Sequence, residues 1–269
     1  MSRTTFTLLQ QPAQRVDLAA LVPEQLTGRS EAEISRMEVQ TTRERLRVGE
    51  LFRVRLGDPQ QIEFDGGSER FDRVGFTMRS GEIRVGGDVG SQAGRLMNGG
   101  RLRIDGNAGP WAGSGMRAGI LEIGGSAGER LGGPLAGETA GMRGGLLVVR
   151  GRAGPRAGDR LRRGLILVEG DAGDYPGSRM IAGTLVIGRR AGAFPGYLMA
   201  RGSIVLAGGF DRLSPTFVDC GVHDLLAGTL LARELAPFSP ALAGIIRMPS
   251  RRLLGDMAVL GQGELLLPG

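Results

Sequence analysis

A chain of 269 residues with 41% hydrophobic side chains is long enough to bury a core of its own. Aromatic residues make up only 4% while glycines number 48, which excludes a ring-filled interior and argues against a bundle of helices. All 34 basic residues are arginine, so a Schiff-base lysine and a lysine-bearing phosphate loop are ruled out, and the net charge of +6 speaks to solubility and diffuse attraction rather than to a site.

The N-terminal stretch from Met1 to Leu26 mixes polar residues with Pro12 and Pro23 and has no apolar run of signal-peptide length. No segment reaches the roughly 20 apolar residues that span a bilayer. Further along, Ser30 followed three residues later by Glu33 reads as a capping box at the start of a helix. The alternation over residues 46–56 reads as the opening of a strand stack.

From Gly81 onward the chain repeats itself. Glycine recurs at positions 81, 100, 119, 145, 164, 183 and 202, a step of nineteen residues broken once by a seven-residue insertion between Gly128 and Gly145. The units begin GEIRVGGDVG, GRLRIDGNAG, GILEIGGSAG, GLLVVRGRAG, GLILVEGDAG and GTLVIGRRAG, with a partial seventh, GSIVLAGGF. A second glycine follows in most units (Gly94, Gly113, Gly158, Gly177, Gly196), then a Met or Leu (Met97, Met116, Met142, Leu161, Met180, Met199). Gly75 and Met78 mark a degenerate unit upstream.

The third and fifth places of each unit, Ile83 and Val85 or Leu102 and Ile104, share one side of an extended strand. Such a strand cannot bury that face alone, but stacking one unit on the next buries it and sets like side chains in ladders. The predicted fold is therefore all-β: a right-handed parallel β-helix of about seven or more nineteen-residue coils over residues 43–210. Residues 1–42 and 211–269 are expected to cap or cover its ends, because an open stack leaves unpaired edges. Glycines at the corners, Gly109 and Gly173 among them, are read as supplying positive φ. Residues 222–236 read as a short helix interrupted by Gly228.

The outward strand positions change character along the stack. Early units carry Glu82, Arg84, Arg101, Arg103 and Glu122, whereas later ones carry Val148, Leu167, Val186 and Val205 flanked by Leu146 and Leu165. A strand apolar on both faces is covered on both, either by the leucine-rich C-terminal stretch or by a partner subunit. A further ladder is basic. Arg117, Arg143 and Arg162 fall two residues before the next unit's glycine, with Arg160, Arg163 and Arg179 nearby, and their charge is answered either by acids or by an anionic ligand.

No catalytic constellation emerges. Cys220 and His223 are the only residues of their kinds, which leaves no disulfide, no iron–sulfur centre and no multi-ligand metal site, and intracellular life is the simplest reading. Asp88, Asp105, Asp159, Asp171 and Asp174 are scattered over the corners rather than gathered in one ladder. One tryptophan, Trp111 after Pro110, is read as packing, and the aromatic content is too low for a nucleic-acid stacking platform.

The repeat over about Gly81 to Gly209 resembles the GXGXG domain at the C-terminus of the glutamate synthase large subunit. With the entry stretch IEFDGGSERFDRVGFTMRSGEIRVGGDVG, the whole layout is similar to the family of formylmethanofuran dehydrogenase C subunits. That family includes the C subunits of archaeal dehydrogenases and of bacterial formyltransferase/hydrolase complexes, and arginine-only basic usage favours the bacterial branch. The resemblance implies a non-catalytic scaffold in the cytoplasm. Its partners would be a formyltransferase subunit, an amidohydrolase-like subunit and a molybdopterin-enzyme-like subunit, working on tetrahydromethanopterin and a furan-type carrier, methylofuran or methanofuran. The acidic tail of such a carrier makes Arg117, Arg143 and Arg162 its expected contact. A free-standing glutamate synthase subunit is the runner-up, and an independent carbohydrate-active or anion-binding β-helix is the alternative of another class.

Overall fold

The computed structural model describes residues 2–269; Met1 lies outside them. Before the repeat come β1 (Arg3–Leu8), β2 (Val16–Asp17), α1 (Pro23–Leu26), α2 (Glu31–Arg36), β3 (Glu38–Thr41), β4 (Arg45–Arg47), α3 (Val48–Leu51) and β5 (Phe52–Arg55). Helix α2 starts at the expected capping box. The Ser30 hydroxyl accepts from the Glu33 amide at 3.3 Å, and the Glu33 carboxylate accepts from the Ser30 amide at 2.7 Å.

The repeat supplies β6 (Asp58–Asp65), β7 (Phe71–Asp72), β8 (Glu82–Val85), β9 (Asn98–Ile104), β10 (Ala118–Ile123) and β11 (Arg143–Val149). It continues through β12 (Arg163–Val168), β13 (Thr184–Ile187), β14 (Ala191–Ala193), β15 (Arg201–Leu206) and β16 (Phe210–Arg212). The chain ends with β17 (Val218–His223), α4 (Leu226–Leu235), α5 (Pro240–Ile246), β18 (Ser250–Gly255) and β19 (Gln262–Pro268). Thirteen strands form one sheet in the order β17-β18-β19-β15-β13-β12-β11-β10-β9-β8-β6-β1-β5, parallel from β1 to β19 and antiparallel only at its two ends.

Each unit bonds to the next at three places, and the register sets like on like. In the main sheet Ile83 faces Leu102, and Leu147 faces Ile166, with the seven-residue insertion absorbed between Leu121 and Leu147. Single parallel bridges then link Val89, Ala108, Ala127, Ala153, Ala172 and Ala191 in succession. At the turn, the amides of Gly94, Gly113 and Gly177 donate to Val74, Ala93 and Ala157 of the unit before at 2.7–2.8 Å. Between these contacts lies an aliphatic core in which Met78, Met97, Met116, Met142, Leu161, Met180 and Met199 are all fully buried. Burial of each such side chain is worth about 1.5–3 kcal/mol.

Three sequence expectations need correction. The alternation over residues 46–56 does not open the parallel stack: it contains α3, and β5 pairs antiparallel with β1 at the sheet's edge. Gly228 does not interrupt the C-terminal helix; α4 runs through it, and its missing side chain admits the Ile246 carbonyl, 2.8 Å from where a Cβ would sit. Gly109 and Gly173 do not supply positive φ. A Cβ there would lie 2.7 Å from the Gly90 carbonyl carbon and 2.8 Å from the Pro155 nitrogen, so their role is clearance between stacked units.

The apolar outer ladder is covered by the chain itself. Val148, Leu167, Val186 and Val205 are buried against Ala232 and Leu235 of α4 and Leu242, Ala243 and Ile246 of α5. Arg150 ties this cover down, donating to the Phe238 carbonyl between the two helices.

Candidate functional site

The stacking determines where the arginine ladder falls. The backbone amides of Arg117, Arg143 and Arg162 donate to the carbonyls of Met97, Met116 and Met142 at 2.8, 2.6 and 2.9 Å, so the three occupy one place in successive units. Neighbouring strands lie about 4.8 Å apart, which spreads the three backbone positions over about 10 Å. All three side chains are exposed, and among the described residues none forms an ion pair. Arg163 is exposed beside them, with Arg143 and Arg163 opposite one another across β11 and β12. Arg160 and Arg179 are engaged elsewhere: Arg160 donates to the Glu138 carbonyl at 2.9 Å, and Arg179 binds Asp159 at 3.1 and 3.2 Å.

One acid of the insertion, Glu138, feels the charge of Arg143 in this ladder. Burial pushes the Glu138 carboxyl up, but the hydrogen bond from Arg95, the Leu135 amide, the Arg95 charge and then the Arg143 charge outweigh it and hold the group below its ordinary value. Glu138 is therefore an anion held mainly by Arg95 at 2.8 Å, and it leaves the three exposed guanidinium groups free for another acid.

The scattered aspartates serve the stack. Asp88 accepts from the Asn107 amide at 2.6 Å, Asp171 from the Arg190 amide at 3.0 Å and Asp174 from the Ala193 amide at 2.8 Å, each one unit further on. Asp105 takes Arg84 at 2.7 and 2.9 Å and Arg103 at 3.0 Å. Asp159, wholly buried, accepts from the Ser178 hydroxyl at 2.8 Å and from Arg179. Among the described residues no three His, Cys, Asp or Glu side chains gather as a metal site.

Cys220 and His223 stand exposed on β17, and His223 Nε2 lies 2.8 Å from the Cys220 carbonyl oxygen rather than from its sulfur. Trp111 is half-buried at its corner, its indole Nε1 buried without a hydrogen-bond partner among the described residues. Sequence reasoning missed that Trp111 belongs to a ladder of residues two places before each turn glycine. Arg156, Tyr175 and Phe194 hold the same place, all with φ near +60°. The nineteen-residue step from 156 to 175 to 194 was the available signal.

A chain whose units stack in parallel with like on like, engaging its corner acids in its own backbone and side chains, defines a repeat protein with a charged surface ladder. No protein-family model matches it. Over 255 residues, 95% of this chain and 96% of the relative, it is 53% identical to the C subunit of the formyltransferase/hydrolase complex Fhc of Methylorubrum extorquens. It also superposes on a chain of the crystal structure of the formyltransferase/hydrolase complex FhcABCD from Methylorubrum extorquens in complex with methylofuran. That match has a TM-score of 0.93 and 42% identity and covers 98% of this chain and 99% of the other. The chain belongs to the family of C subunits of the formyltransferase/hydrolase complex. Among the described residues no helix is long and apolar enough to cross a membrane.

Proposed function

We propose that this chain is the non-catalytic scaffold subunit of a cytoplasmic formyltransferase/hydrolase complex in tetrahydromethanopterin-linked one-carbon metabolism. Its partner subunits transfer a formyl group to a furan-type carrier and release formate. The observation that carries this reading is the 53% identity to an Fhc C subunit over nearly the full length of both chains. The engagement of the corner aspartates in backbone and arginine contacts supports a structural role, since a hydrolytic pair needs two free carboxyls facing one space.

In this reading the stack is a right-handed parallel β-helix over residues 43–210, with residues 1–42 and 211–269 as its end segments. Its rigidity serves to hold a formyltransferase subunit, an amidohydrolase-like subunit and a molybdopterin-enzyme-like subunit in fixed relation. The complex of the relative contains methylofuran. For this chain, the exposed and unpaired Arg117, Arg143 and Arg162 are the proposed contact for the acidic tail of such a carrier.

The test is affinity purification of the tagged chain from its host at moderate salt, with mass spectrometry of what accompanies it. Stoichiometric formyltransferase and amidohydrolase-like subunits are expected. Recovery of the chain alone, monodisperse and soluble, would refute the scaffold reading.

A further inference from the structure

The chain has only two tyrosines, and both line one pocket. A cavity of about 470 Å³ opens among Arg156, Tyr175, Arg179, Phe194 and Tyr197 on the turns of successive units. Tyr175 stacks on Phe194 with ring centroids 5.5 Å apart, and Tyr197 meets Tyr175 edge-on at 5.7 Å. The Arg156 guanidinium lies 5.7 Å from the centre of the Tyr175 ring.

Packing of the core does not account for this cluster, because the interior beneath it is aliphatic and Tyr197 is 41% exposed. Backbone need does not account for it either. Arg156, Tyr175 and Phe194 sit at φ of +60°, +59° and +59°, where glycine or asparagine fits with less strain than a long or bulky side chain. The acid beneath two of the lining residues is already paired: Asp159 is buried and bound by Ser178 and Arg179, with Arg130 3.7 Å away. Arg156 pairs with no carboxylate among the described residues, so the pocket presents an uncompensated guanidinium framed by aromatic rings.

We infer that this pocket receives an acidic side chain or C-terminal carboxylate of a neighbouring subunit, bound by the Arg156 guanidinium and flanked by Tyr175 and Tyr197. The inference rests on the chain being a subunit of a larger complex. Tyrosine and arginine in a recessed, rigid patch are the composition of an interface hot spot, and a planar guanidinium matches a carboxylate with two parallel hydrogen bonds. The site is preorganised. The amides of Arg156, Tyr175 and Phe194 are each held by the next unit's carbonyls, at 2.8, 2.7 and 2.7 Å, so little freedom is lost on docking.

The test compares the assembled complex of the wild-type chain with that of Arg156→Glu, Arg156→Lys and a Tyr175→Ala/Tyr197→Ala double variant. Partner retention is followed by native mass spectrometry across a salt series, and thermal melting of each isolated chain checks that it folds. Charge reversal at Arg156 is expected to weaken retention at least tenfold and Arg156→Lys to weaken it less, with melting unchanged. Cross-linking of the wild-type complex is expected to join this turn to an acidic partner segment. If Arg156→Glu keeps its partners to the same salt as wild type, the inference is overturned while the scaffold reading stands. If Arg156→Glu keeps its partners but loses a small acid that accompanies the wild type, the pocket is a small-molecule site and the inference again falls. If the wild-type chain itself assembles with nothing, the scaffold reading fails and this inference goes with it.

Discussion

Arg150 reaches across the fold to Phe238: its Nη1 donates to the Phe238 carbonyl at 2.5 Å and to the Glu169 carboxylate at 2.7 Å. The contact joins the end of β11 to the link between α4 and α5. A hydrogen bond from a charged donor is worth about 1.5–3 kcal/mol, reduced here by partial exposure. Arg150→Ala is expected to cost about 1–2 kcal/mol in urea unfolding and to speed amide exchange in residues 226–246. Unchanged exchange in that segment would show that the helices are held by their apolar face alone.

That apolar face supplies the second prediction. Leu167 is fully buried beneath the helices, whereas Leu230 of α4 is 55% exposed. Leu167→Asp places an unpaired charge in an apolar layer and is expected to cost about 3 kcal/mol or more, while Leu230→Asp stays within about 0.5 kcal/mol. Equal losses for the two would mean that the helical cover is not seated on β12 as described.

Clearance between units makes glycine substitutions unequal. At Gly109 an added Cβ meets backbone 2.7 Å away, and backbone cannot step aside; at Gly86 the nearest atom, the Phe64 carbonyl oxygen, is 3.4 Å off. Gly109→Ala is expected to lower the melting temperature by several degrees, from a loss of about 2 kcal/mol, and Gly86→Ala by far less. A matched pair of melting curves would count against the stacking distance at that corner.

Asp105 couples the outer surface to pH. Burial pushes its carboxyl up, but hydrogen bonds from Arg84 and Arg103, reinforced by their charges, leave it below the ordinary carboxylate value. A group depressed on folding contributes fully above its unfolded pKa, about 3.9, and loses that contribution as pH falls through the folded value. The stability difference between wild type and Asp105→Asn is therefore expected to be constant near neutrality and to shrink below about pH 4. Urea titrations at several pH values measure it; a difference that grows on acidification would reverse the sign of the argument.

Reversing Arg117, Arg143 and Arg162 together to Glu is expected to leave melting nearly unchanged, because the three are exposed and unpaired among the described residues. Loss of the furan-type carrier from the purified complex is the expected functional result. Full carrier retention would dismiss the ladder as a carrier contact.

The repeat period, the buried Ile/Val/Leu and Met ladders and the arginine ladder were all legible in the sequence, because a strand has a period of two and stacking multiplies each choice by the number of units. The capping box at Ser30 was legible for a similar reason: its two hydrogen bonds close within three residues. The Arg156–Tyr175–Phe194 ladder was present in the same spacing, yet its three residue types share no hydropathy and so leave no pattern to the eye.

Other features depended on where distant segments land. Whether Val148, Leu167, Val186 and Val205 meet a partner or their own chain was settled by the arrival of α4 and α5, more than twenty residues beyond Val205. Which glycines serve φ and which serve clearance was settled by the neighbouring unit's backbone, as at Gly109 and Gly173. Periodicity is a local property, so the repeating unit, its buried face and its basic ladder follow from the order of residues alone. The cover on the outer face, the antiparallel ends of the sheet and the engagement of each aspartate arise from contacts between segments whose separation carries no periodic signal, so they exist only once the chain has folded.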